Sequence, residues 1–416
     1  MAAFKKSLKK YLLSLNLVKT SIFTLHFKPH FQRFTAIVER KSNFMGNIII
    51  GVIIAFIISF YAIPIIIQLA DQIKIFDIPD ERKVHKKPIP SLGGLGIFIG
   101  FMMALLLAPS IPAMAGKLQY FYASFLVVFF YGIKDDILKL RPMKKIIGQL
   151  IVSVILISKA GLAITNLYGF LGVSFIIESF SYMLTLMTII VVMNAFNLID
   201  GIDGLAGSLG ILSCSVFGLF FYLNGDMFFS MLGFVVASSL FAFLIYNYSP
   251  AKIFMGDTGS MLLGLVNAIL AIHYIETAAT SSTLLINTKL NPPAMAFGVL
   301  AVPLLDTLRV FSIRILHGHS PFFPDRKHLH HLLLDRGFNH KQILFTLFAV
   351  AAIFIVVTYY ILPLGCTAVI AIQGALFFLG VFALTKLKKQ TKHLAVVRND
   401  IHVVKEVDSA IKNSAL

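Results

Sequence analysis

The sequence predicts an all-α integral membrane protein with about 11 transmembrane helices. Three observations carry this expectation. The chain is 58% hydrophobic and only 13% charged, far from the balance of a soluble domain. Apolar runs of about 17 to 22 residues recur along it, enough to cross the hydrocarbon layer as helices. Lys and Arg collect in alternate connections between these runs. No soluble domain fits outside the loops. The two cysteines, Cys214 and Cys366, fall inside apolar runs, which speaks against a disulfide framework and excludes a cysteine metal site. The net charge of +17 fits basic cytoplasmic loops before it fits nucleic acid.

The expected spans are 47–70, 91–109, 119–134, 146–161, 182–199, 205–223, 228–246, 259–277, 294–316, 342–362 and 364–385. The third and fourth are short. The apolar patch Leu167–Ile177 is too short for a span and reads as an outer loop or hairpin. One set of connections carries 22 Lys and Arg, and the other carries 2. That asymmetry puts the first set in the cytoplasm, the N-terminus outside and the C-terminus inside. Residues 1–44, with nine basic residues and one acid, read as a basic extension. Residues 45–385 form the multi-spanning domain, and 386–416 a polar basic tail. Because a basic extension outside conflicts with the charge rule, Met45 reads as an alternative start.

The polar stretch Asn194-Ala-Phe-Asn-Leu-Ile-Asp-Gly-Ile-Asp-Gly204 separates the fifth and sixth spans. A three-residue step drifts about 60° on a helix. Asn197 and Asp200 are therefore neighbours on a continuous helix, while Asn194 and Asp203 point apart. Gly201 and Gly204 break that helix and let two amides and two carboxylates converge. A plain turn needs fewer such groups, and their oxygens suit a hard cation such as Mg²⁺.

Other polar motifs fall on the same set of connections. Lys86 and Lys87 lie in a basic loop able to bind nucleotide phosphates or the acidic lipid surface. Asp135 and Asp136 stand about 100° apart on a helix, so one can line a site while the other supports it. A solvated helix cap is the simpler reading of the pair. Asp257, between Gly256 and Gly259, is a hard-cation candidate or an N-cap. Phe254 can stack on a flat base or pack against lipid. Arg309 and Arg314 precede a loop carrying Arg326, Lys327, His328, His330 and His331, whose histidines could ligate a transition metal or donate to phosphate or sugar oxygens. Asp306 and Arg309, one turn apart, are expected to pair. Acids for a hard cation, cations for phosphate and an aromatic ring at one membrane face suit phosphoryl transfer from a soluble nucleotide-activated donor to a lipid acceptor.

The motifs Pro90-Ser-Leu-Gly-Gly94, Asp135-Asp136, Asn197-Leu-Ile-Asp-Gly-Ile-Asp-Gly204, Phe254-Met-Gly-Asp-Thr-Gly-Ser260 and His328-Leu-His-His331 together resemble the polyprenyl-phosphate N-acetylhexosamine-1-phosphate transferases of glycosyltransferase family 4. The likeness covers about residues 47–385. It implies transfer of a sugar 1-phosphate from a UDP-amino sugar to undecaprenyl phosphate with release of UMP, assisted by Mg²⁺ with Mn²⁺ as an alternative. It also implies a bacterial inner-membrane location, eleven spans and an active site built from cytoplasmic loops. By this likeness Asp257 is the principal metal ligand, and Asn197, Asp200 and Asp203 line the nucleotide–metal site. Asp135 or Asp136 activates the lipid phosphate, Phe254 stacks on uracil, and His328, His330 and His331 form the cytoplasmic histidine motif. Asn194, Lys86, Lys87, Arg309, Arg314 and Arg326 complete the expected substrate contacts. The Ser320–His331 run resembles the GlcNAc-1-phosphate branch. Ser-Leu in place of the Thr-Met usual in the peptidoglycan branch counts against phospho-N-acetylmuramoyl-pentapeptide transferase, the nearest rival. A secondary transporter, the rival of another class, would hold its ionisable groups near the bilayer midplane rather than at one end. A homodimer is an assembly the sequence leaves open, and nucleic acid is not an expected partner.

Overall fold

A computed structural model describes residues 21–74, 88–107, 116–280, 291–320 and 327–386, with side chains from Phe44 onward. The chain forms two compact units, Met1–Ile50 and Gly51–Leu416. The described part of the first is helical from Ser21, the start of α1 (Ser21–Ile73). The second unit carries the motifs singled out above.

After α1 come α2 (Gly93–Leu107), α3 (Leu118–Leu138) and α4 (Pro142–Ile155), the last extended by a π-helical turn over Leu156–Ala160. A two-stranded hairpin follows, β1 (Asn166–Phe170) and β2 (Val173–Phe175), paired antiparallel with Phe170 opposite Val173. It occupies the patch expected to be a loop or hairpin, and among the described residues it is the one strand pair between helices. The remaining helices are α5 (Glu178–Ile199), α6 (Leu205–Asn224), α7 (Met227–Asn247), α8 (Gly256–Thr277), α9 (Pro292–Val299), α10 (Ala301–Leu316), α11 (Leu329–Leu334), α12 (His340–Ile361) and α13 (Cys366–Lys386).

Among the described residues, seven helices are long and apolar enough to cross a membrane, and α9 with α10 forms an eighth candidate bent by 83°. The other three expected spans correspond to α2, α3 and α4. Of these, α2 is described over 15 residues, and α4 with its π-helical turn covers Pro142–Ala160. The end of α3 carries Lys134, Asp135 and Asp136, and the first turn of α4 carries Lys144 and Lys145.

The centre of the second unit is α8. Its apolar stretch is 94% buried, against 17% for α13. It packs against α2, α3, α5, α6 and α9. Such close packing of an all-round apolar helix needs small residues at the crossings. A Cβ on Gly94 would stand 2.2 Å from the Gly259 nitrogen, and one on Gly132 would stand 2.4 Å from Thr258 Cα. Two glycines thus bring α2 and α3 into backbone contact with the first turns of α8. Gly132→Ala should lower stability by about 1–3 kcal/mol, the usual cost of overpacking. Thermal unfolding in detergent would read this as a reduced midpoint relative to wild type.

Candidate active site

The polar motifs meet at the N-terminal end of α8. An isolated helix start leaves its first amide N–H groups without partners. Here α3 supplies the partner. Asp136 accepts the Asp257 amide at 2.7 Å, the Thr258 amide at 3.1 Å and the Thr258 hydroxyl at 2.5 Å. Both its oxygens are therefore committed to holding α8. Asp135 faces another way, as its offset along the helix requires. It accepts the Leu140 amide at 2.8 Å and lies 2.6 Å from Lys145 Nζ in α4.

Lys145 also stands 2.9 Å from Asp257 Oδ2, so one ammonium bridges carboxylates from two helices. Asn197, near the end of α5, donates to the other Asp257 oxygen and to Ser260 at 2.9 Å. Four elements thus converge on Asp257. Lys145 was not singled out from the sequence, where it counted only as one of five basic residues in a cytoplasmic connection. Its spacing from Asp135 carries no motif.

Asn194 turns elsewhere. It donates to Gln149 in α4 at 2.9 Å and to the Ile190 carbonyl at 2.7 Å, tying α5 to α4. Asp200 ends α5, and Asp203 lies in the following turn. Burial raises the Asp200 carboxyl well above the usual range, and the charges of Asp257, Asp136 and Asp203 push it the same way. A nearby cation would reverse that shift. Asp203 stands 3.1 Å from His340 Nδ1 and accepts the Ala251 amide at 3.3 Å. Burial would raise its carboxyl, but His340 and these hydrogen bonds outweigh burial and hold it below the ordinary range. Asp203 lines a cavity of about 750 Å³ with Pro90, Pro250, Lys252 and His340.

Around Asp257 the carboxylates of Asp135, Asp136 and Asp200 outnumber the one ammonium of Lys145, a charge balance that a hard cation would relieve, while the two Asp257 oxygens accept from Asn197 and Lys145. Among the described residues no three His, Cys, Asp or Glu side chains stand close enough to hold a metal ion by themselves. Of the residues expected around the metal, Asn197 meets Asp257, while Asp203 meets His340.

The strand-like run before α2 brings two more motifs together. Phe254 donates its amide to Pro90 at 2.7 Å, and Gly93 donates to the Phe254 carbonyl at 2.9 Å. The phenyl group of Phe254 is half-buried. Lys86, Lys87 and Arg326 lie outside the described residues.

The histidine motif is built on Asp306. This buried carboxylate lies 3.0 Å from His328 Nδ1 and accepts the Leu329 amide and Arg309 Nη2, both at 2.9 Å. The expected Asp306–Arg309 pair is present. Arg309 also donates to the Lys327 carbonyl, and Arg314 Nη2 lies 3.5 Å from His328 Nε2. Both guanidinium groups are buried in this brace. His330 is buried with its ring against Gly201, where a Cβ would meet Nε2 at 2.4 Å. Burial, reinforced by His331, lowers the His330 imidazole to about 3, so it is neutral at physiological pH. The ring centroids of His330 and His331 lie 4.3 Å apart.

Acids, one bridging lysine and a braced histidine segment thus meet at helix ends of an apolar bundle. The family described as Glycosyl transferase family 4 matches residues 118–275, from α3 to the end of α8. A probable undecaprenyl-phosphate N-acetylglucosaminyl 1-phosphate transferase of Bacillus subtilis is 32% identical over 314 residues, 73% of this chain and 83% of that protein. A decaprenyl-phosphate N-acetylglucosaminephosphotransferase of Mycobacterium leprae is 31% identical over 316 residues, 71% of this chain and 78% of that protein. An undecaprenyl-phosphate alpha-N-acetylglucosaminyl 1-phosphate transferase of Yersinia pestis is 30% identical over 291 residues, covering 68% and 76%. The chain belongs to glycosyl transferase family 4 and is an enzyme of that family.

The Asp136 cap gives a direct test. Asp136→Ala should cost several kcal/mol, because two amides and a hydroxyl at the head of α8 lose their acceptor together. Asp136→Asn keeps one acceptor oxygen and should lose less. Thermal midpoints of the two variants, measured side by side, check the order.

Proposed function

We propose that this enzyme transfers N-acetylglucosamine 1-phosphate from UDP-GlcNAc to undecaprenyl phosphate, giving undecaprenyl-diphospho-GlcNAc and UMP. The reaction is the first membrane step of a cell-envelope glycan, at the cytoplasmic face of a bacterial inner membrane. The observation that carries the reading is Asp257, held by Asn197 and Lys145 in the first turn of the buried helix α8. The relatives named above are GlcNAc-1-phosphate transferases acting on polyprenyl phosphates, which supports the sugar and the acceptor. The excess of Lys and Arg in one set of connections supports eleven spans, an outside N-terminus and a cytoplasmic C-terminus.

An oxygen of the lipid phosphate attacks the sugar-bearing phosphorus of the donor. The bond from that phosphorus to the bridging oxygen breaks, and UMP leaves. Asp257 and Asn197 would hold Mg²⁺, which would supply the positive charge needed to offset the negative charge that grows on the leaving phosphate. Lys145 stabilises charge on the phosphates from the opposite side of Asp257 and orients Asp135. Asp135 faces the lipid phosphate, while Asp136 keeps α8 in place. The cavity beside Asp203 takes the nucleoside, and its volume suits a base and ribose. Phe254, in the loop that joins α7 to α8, does not line that cavity, so its stacking on uracil is proposed from the family likeness alone.

Purified protein supplied with undecaprenyl phosphate, Mg²⁺ and radiolabelled UDP-GlcNAc should move label into the lipid phase and release UMP. Chelation with EDTA should stop transfer, and added Mg²⁺ should restore it. Asp257→Ala and Lys145→Met should each lower kcat at least about 100-fold, as removal of a group stabilising the transition state does. Transfer from UDP-MurNAc-pentapeptide alone would move the enzyme to the peptidoglycan branch. No transfer from any of these donors by folded protein would overturn the reading.

A further inference from the structure

The turn between α5 and α6 has two sides. On one side Asn197 meets Asp257, and Gly201 packs under His330. On the other, α12 reaches in from a distant part of the sequence. The start of α12 is fixed by a reciprocal cap, in which Asn339 accepts the Gln342 amide and Gln342 accepts the Asn339 amide, both at 2.9 Å. His340 is the first residue of the helix, and its Nδ1 stands 3.1 Å from Asp203 Oδ2. One turn later on the same face, Leu344 packs so tightly on the turn that a Cβ at Gly204 would meet it at 2.7 Å. His340, Lys341 and Asn339 also line the cavity that contains Asp203. Lys341 is drawn back over the Tyr248 ring, 5.1 Å from its centroid. His340 is therefore the α12 side chain that couples the cavity wall to the Asp203 carboxylate.

We propose that His340 is a positioning residue for the nucleotide donor: it holds Asp203 at the cavity wall, and so sets donor affinity without entering the phosphoryl-transfer step. The inference rests on the transferase reading above. Its content is a separation of effects. The acids around Asp257 are fixed by Asn197, Lys145 and Asp136, none of which touches His340. Losing His340 frees the cavity side of the turn and leaves the reacting side in place.

The test compares His340→Leu, which keeps bulk and removes the donor atom, with His340→Gln, whose amide can still donate to Asp203. Both are made in the full chain. His340→Leu should raise the donor KM about tenfold, the scale of one lost polar contact to a carboxylate. It should leave kcat within about threefold and the KM for undecaprenyl phosphate unchanged. His340→Gln should recover most of the donor affinity. Adding His340→Leu to Asp203→Asn should weaken the donor little beyond Asp203→Asn alone. An unchanged donor KM in His340→Leu, a loss confined to kcat, or equal losses in the Leu and Gln variants would overturn the proposal. Calorimetric binding of UMP to the same proteins separates this outcome from failure of the functional reading. A wild type that binds UMP but transfers no sugar phosphate would sink the reading, while UMP binding weakened in the Leu variant and kept in the Gln variant would still uphold the role of His340. Loss of neither would reject it.

Discussion

The contact on which the rest of the site depends is the carboxylate of Asp136 at the head of α8. A helix that starts inside a protein must find partners for its first amide groups, or bear a cost of several kcal/mol for leaving them bare in an apolar setting. In this chain the partner comes from α3, through three hydrogen bonds to two consecutive residues. That solution also fixes where Asp257 points, because Asp257 is itself one of the two residues held. The Gly94 and Gly132 crossings then decide how near α2 and α3 approach. Helix cap, helix packing and candidate chemistry are thus a single arrangement.

Charge is distributed around this point with an evident economy. Buried carboxylates repel one another unless cations lie between them. Lys145 lies between Asp135 and Asp257, and His340 stands against Asp203. Asp306 gathers His328, Arg309 and the start of α11 into a brace that seats His330 on the turn between α5 and α6. Breaking the buried Asp306–Arg309 pair would leave an uncompensated charge, which costs more than the intact pair contributes. These groups therefore also act as a framework, holding short loops in register where apolar packing alone would not specify them.

Much of this was legible in the sequence. The long apolar runs gave the helices, and the patch around Leu167–Ile177 was too short for anything but a loop or hairpin. The Asp306–Arg309 pair followed from helical spacing. The motif residues of four separate loops do meet at one end of the bundle, and the 100° offset of Asp135 from Asp136 separated them as expected. Long-range partners were not legible. Lys145 finds Asp257 across 112 residues of sequence, and nothing in the local pattern of α4 distinguishes it from Lys144. His340 likewise looks like an ordinary residue at a helix start. Asn194 was expected to converge with Asn197 through the helix break at Gly201 and Gly204, but α5 runs unbroken to Ile199. The 60° drift carries Asn194 round to Gln149 and a packing role. The 83° bend between α9 and α10 falls where Pro303 cannot donate to Val299, a mark that reading 294–316 as one apolar run passed over.

At its far end α8 is tied down as firmly as at its start. Glu276 accepts the Thr165 amide and hydroxyl at 2.7 and 2.8 Å, and Tyr168 of the hairpin donates to the Ile275 carbonyl at 3.2 Å. With 22 residues, α8 is about 33 Å long, close to the thickness of a bilayer's hydrocarbon layer. Most single membrane helices meet a thinner or thicker bilayer by tilting. A helix surrounded by neighbours and pinned at both ends has no such freedom. Mismatch with the bilayer therefore falls on the helices that surround α8, or on tilt of the bundle as a body, rather than on the acids at the end of α8.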